Sequence, residues 1–129
     1  MTDPDLSDIE AMAHAARAAL PAAFQPAARA VLLRVADRPS ARLLHALEMT
    51  DPRQLTGLYE GIPMTEKSVF DQPHGPDTIW LFRESILAEW RARGDVALAD
   101  LVAHVVVHEF AHHFGWSDVD IATIDRWWE

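Results

Sequence analysis

The chain has no cysteine in 129 residues, which excludes disulfides and thiolate metal sites together. Any metal it holds must take nitrogen and oxygen ligands. Basic residues are also few: eleven Lys and Arg stand against twenty Asp and Glu, for a formal net charge of -9. That balance opposes nucleic acid or an anionic membrane surface as a partner bound through bulk charge. No apolar run is long enough to cross a bilayer. The acidic start MTDPDLSDIE lacks the basic and apolar regions of a signal peptide, so the expected location is the cytoplasm. What remains is an ordinary globular composition, 50% apolar and 24% charged. At this length it predicts a single domain over residues 1–129 with a modest core.

The pattern of apolar residues then orders the chain. Ser7 and Glu10 have the spacing of a capping box ahead of an amphipathic helix through Ile9, Met12, Ala13, Ala16 and Leu20, ended by Pro21. The connector PAAFQP leads to a strand over Val31 to Ala36, and Ser40 opens a second helix, roughly Ala41 to Met49. TGLYEGIPM reads as an irregular strand or a loop, and Thr65 to Asp77 as a polar surface loop. TIWLF, residues 78–82, has the β-branched and aromatic content of a buried or edge strand. A helical piece around Ile86 to Arg91 stops at Gly94. Asp95 is then the expected cap of a long buried helix running to about Phe114. Ser117 or Asp118 starts a last helix carrying Ile121, Ile124 and Trp128.

The long helix ends in HEFAHHFGWSD, residues 108–118. His108 and His112 lie four residues apart, so their side chains stack on one helix face and can share a metal ion. Glu109 sits about a hundred degrees round the helix. It misses direct ligation but can reach a water beside the metal. HExxH alone would arise by chance in roughly one shuffled chain in forty; adding Gly115 and Asp118 lowers this to on the order of one in ten thousand. Those two residues have a geometric reason. On a continued helix Asp118 would lie about nine ångströms beyond His112 and on the wrong side. A glycine just past the last turn lets the chain leave the helix and swing Asp118 back as a third ligand. An acid there would also stabilise the start of the last helix with no metal present. His113 points about a hundred degrees away from His112 and is read as a packing or hydrogen-bonding group.

The stretch HEFAHHFGWSD resembles the zincin metallopeptidases, and within them the metzincin pattern HExxHxxGxxH/D in its aspartate form, as in snapalysin. Together, LTGLYEGIPMTEK, DTIWLF and HEFAHHFGWSDVDI resemble a small bacterial zincin-like family with a matrix-metalloprotease-like domain. The resemblance covers most of the second half; the first half matches in its helix-then-strand order. It implies an α+β, minimal zincin-like fold, a small mixed sheet packed on a long active-site helix. It also implies one Zn2+ per chain, held by His108, His112 and Asp118, with Glu109 as catalytic base. The pattern departs from metzincins downstream of the third ligand. There they place a methionine-containing turn beneath the metal, whereas the last methionine here is Met64 and eleven residues follow Asp118. The expectation is therefore a chain without a lower subdomain.

Two functions of different class fit these residues. One is a zinc-dependent metallopeptidase acting on peptide or unfolded protein, its zinc made a somewhat weaker Lewis acid by an aspartate ligand. The other is a zinc-binding or metal-free interaction protein, with little turnover, on the same scaffold. As in zincins, an edge strand is expected to pair with the peptide, and Thr78 to Phe82 is the candidate. Tyr59, the single tyrosine, would either donate to a developing oxyanion or serve as a structural hydroxyl. His104, one turn before His108, reads as a surface group or a partner of a ligand.

Overall fold

The computed structural model describes residues 4–51, 54–60 and 77–114, with side chains as far as His112. Helix α1 spans Leu6–Ala18. Its N-terminus is built two residues earlier than Ser7 and Glu10 suggested. The Asp5 side chain accepts the Asp8 N–H at 2.9 Å, and the Asp8 carboxylate accepts the Asp5 N–H at 2.9 Å. Two acids three residues apart satisfy the same reciprocal geometry. They also add a helical bond, Ile9 N–H to the Asp5 carbonyl at 3.2 Å. The far end is closed from the connector, which is itself helical, with a 3₁₀ turn at Ala22–Phe24 and the short helix α2 at Gln25–Arg29. The Gln25 amide donates to the carbonyls of Arg17, Ala18 and Leu20 at 2.8–3.2 Å. These are the carbonyls a helix end leaves without partners.

Strand β1 is Leu32–Ala36, and Ser40 caps the short helix α3, Ala41–Ala46, by accepting the Leu43 N–H. Gly57–Glu60 is a regular strand, β2, where the sequence left a loop open. Strand β3, Thr78–Phe82, is central in the order β1-β3-β2, parallel to β1 and antiparallel to β2. This corrects the expectation that Thr78–Phe82 lies at the edge: both its sides are paired, and among the described residues β2 is the outer strand beside it. On one sheet face Ile79 and Leu81 are fully buried. On the other, Trp80 stacks at 6.5 Å on Phe82, with the Arg34 guanidinium 5.7 Å from the Trp80 ring.

Helix α4, Arg83–Arg93, leaves β3 without a loop and ends at Gly94, whose φ of 72° is the left-handed value that closes a helix. Helix α5 spans Leu98–Phe114. It starts one turn after Asp95, and its first bonds run to the Ala97 carbonyl, so Asp95 is not its cap. α5 lies across α1 and against β2, β3 and α4. Leu101, Val102, Val106 and Phe110 join Ile9, Ala13, Ile79, Leu81 and Ile86 in one core. The architecture is thus α+β, helices around a small mixed sheet beside one long helix, as a minimal zincin-like fold requires. No described helix is long and apolar enough to cross a membrane.

Candidate functional site

α5 sorts its side chains by face. Positions 101, 102, 105, 106 and 110 are buried apolar residues, whereas His104, His108 and His112 form a row at four-residue spacing, half-buried to exposed. The His108 and His112 rings stand 5.4 Å apart at 66°, and those of His104 and His108 6.0 Å apart. The helix therefore brings two imidazoles together on one accessible face, the pairing expected of His108 and His112. His104 extends the same row.

Glu109 lies on the side of α5 toward β2 and is only 7% exposed. One of its oxygens accepts the main-chain N–H of Tyr59. The other, Oε1, is buried without a hydrogen-bond partner among the described residues. It lies 3.3 Å from His112 Nδ1, but in a direction that makes no hydrogen bond. Burial pushes the carboxyl up from its usual 4.5 to about 7, against the smaller lowering effects of the His108 charge and the Tyr59 amide. A buried carboxylate with an unused oxygen is costly to keep, and such groups cluster where a proton is to be moved.

β2 comes this close because of a glycine. A Cβ on Gly57 would stand 2.8 Å from Val105 Cγ1, 3.2 Å from Glu109 Cγ and 3.3 Å from the Trp80 carbonyl oxygen. Any larger residue would force strand and helix apart. The sequence carried a signal for this that was not used, since glycine inside a strand marks a close backbone approach. The Tyr59 hydroxyl donates to Asp77 Oδ2 at 2.7 Å, and burial together with that carboxylate raises its pKa. Its proton is committed to Asp77, which favours the structural over the oxyanion reading. Asp77 itself had gone unnoticed in the sequence, where it ends a polar loop.

The donors present suit a metal of zinc's type: two imidazoles at helical spacing, with a buried carboxylate alongside whose Cγ lies against β2 and whose Oε1 stands 3.3 Å from His112 Nδ1. Among the described residues no three His, Asp or Glu side chains form a complete ligand set. Gly115 and Asp118, the predicted helix end and third ligand, lie outside the described residues, as do the His113 side chain and the predicted last helix. No curated protein matches the chain. The pattern that defines the zincin-like metallopeptidases matches residues 28–128, from the end of α2 through the whole of the HExxH stretch. With that match over most of its length, the chain belongs to the zincin-like metallopeptidase family.

Proposed function

We propose that the protein is a zinc-dependent metallopeptidase in which His108, His112 and Asp118 hold one zinc ion and Glu109 is the general base. One observation carries the reading. Glu109 is a buried carboxylate beside a helical histidine pair, with one oxygen tied to Tyr59 and the other accepting no hydrogen bond among the described residues. A zinc ion in such a site supplies Lewis acidity, polarising a carbonyl and bringing the pKa of water towards neutrality. Glu109 takes the water proton on its unused oxygen and later delivers it to the leaving amine. A carboxyl whose pKa is lifted to about 7 is suited to both steps, because it can accept and release a proton near neutral pH.

The substrate surface follows from the sheet order. Because β3 is central, the peptide is expected to pair with β2, the outer strand among the described residues, whose main-chain groups at Gly57 face away from β3. The partner is an extended peptide or unfolded segment, held through backbone bonds with little side-chain selectivity.

The test combines metal analysis with peptide-library cleavage. The parent is expected to carry about one zinc per chain and to cleave. Glu109→Gln is expected to keep the zinc and lose hydrolysis by roughly a hundredfold or more. Zinc without cleavage in the parent would instead support the interaction-protein reading. Equal cleavage by parent and variant would remove Glu109 from the chemistry.

A further inference from the structure

β2 meets Glu109 at two points, both main-chain. At Gly57 the strand lies so close to α5 that the missing Cβ is what separates it from Val105 and Glu109. Two residues on, the Tyr59 N–H is accepted by the Glu109 carboxylate. The register explains why that N–H is available. The Phe82 N–H donates to the Thr56 carbonyl at 3.0 Å. In an antiparallel ladder the hydrogen-bonded pairs then continue at Leu58 with Trp80 and Glu60 with Thr78. Gly57 and Tyr59 fall between them, with their N–H and C=O groups turned to the outer edge.

We infer that Gly57 and the Tyr59 amide are positioning residues for Glu109. The glycine lets the edge strand close on the helix, and the amide then holds one carboxylate oxygen so that Oε1 alone faces the incoming proton. A glutamate has three side-chain torsions to fix, and its own helix restrains them little. The amide is delivered by a strand whose distance from α5 is set by packing, so the carboxylate is aimed before any substrate arrives. The edge rung at Tyr59 N–H is consequently spent on the enzyme's own side chain.

This inference rests on the proposed role of Glu109, so its test includes an arm that needs neither zinc nor turnover. Amide hydrogen exchange is followed by NMR on the metal-free full chain. The Tyr59 amide, which faces away from β3, is expected to be protected in the parent. In Glu109→Ala it is expected to exchange about tenfold faster or more, while the inward-paired Leu58 amide keeps its rate. A Tyr59 rate that ignores the loss of the carboxylate overturns the inference. In the second arm, Gly57→Ala is expected to lose the same protection, keep its zinc and lower kcat about tenfold or more at unchanged KM. A folded Gly57→Ala with the parent's kcat overturns it as well. If Gly57→Ala does not fold, the exchange rates in Glu109→Ala decide. If the parent cleaves nothing, the peptidase reading falls, and those rates still decide whether β2 holds Glu109.

Discussion

Helices α1 and α5 pack on each other, yet they treat their polar groups in opposite ways. α1 satisfies its ends: Asp5 and Asp8 close the first turn, and Gln25 takes three carbonyls near the last. Its polar face is in water, and its buried residues are Ile9, Ala13 and Ala16. α5 carries a buried acid in its interior, one oxygen of which accepts no hydrogen bond among the described residues. The first arrangement stabilises a helix. The second gives up stability at one position, beside the histidine pair, and costs of this kind cluster at functional sites.

The comparison is tested most severely by metal. His108→Ala or His112→Ala is expected to abolish stoichiometric zinc, whereas His113→Ala leaves it intact; elemental analysis of purified variants checks both. Loss of zinc in the His113 variant would overturn the proposed ligand set. Next come the apolar residues the two helices share. Phe110→Ala should cost about 3–5 kcal/mol and Ile9→Ala about 2–5 kcal/mol in denaturant unfolding, since both side chains are fully buried.

Glu109 supplies the reverse effect. Its folded pKa, about 7, lies above the usual 4.5, so folding favours the protonated form. The penalty is absent below pH 4.5, grows as the pH rises towards 7, and is constant above that. In metal-free protein, Glu109→Gln is therefore expected to stabilise the fold by about 3 kcal/mol at pH 8 and by nothing at pH 4. Equal stability of variant and parent at pH 8 would mean that the carboxylate is better solvated than its burial implies. The smallest effect belongs to α1. Asp5→Ala removes a cap that lies in solvent and should cost about 1 kcal/mol, read as a lowered unfolding midpoint.

The legible parts of the molecule were those fixed by neighbours in sequence. His108, Glu109 and His112 could be placed because helical spacing alone sets which of them share a face. Ser40 and Gly94 could be placed because a cap depends on residues within one turn. The position of TIWLF in the sheet could not be read in this way. A strand of Ile, Trp, Leu and Phe suits a central or an edge place equally, and only the pairing of β1, forty-odd residues earlier, decides it. GLYE failed for a related reason: two glycines and a proline in TGLYEGIPM obscured a strand held by its neighbours β3 and α5. The cap of α1 was misplaced because Asp5 with Asp8, and Ser7 with Glu10, satisfy one and the same local rule.

The contact between α1 and α5 also has a consequence in time. A ribosome releases α1 first and α5 about 90 residues later, roughly 5–20 seconds at ordinary elongation rates. Through that interval Ile9, Ala13 and Ala16 have no α5 to cover them, and neither strand partner of β1 nor the Val102–Val106 surface has emerged. α1 waits for α5 far longer than for β1 or α2, which it also packs against. The nascent chain thus presents a short apolar stripe flanked by acids, and the like charge of those carboxylates opposes association of copies on neighbouring ribosomes until α5 arrives.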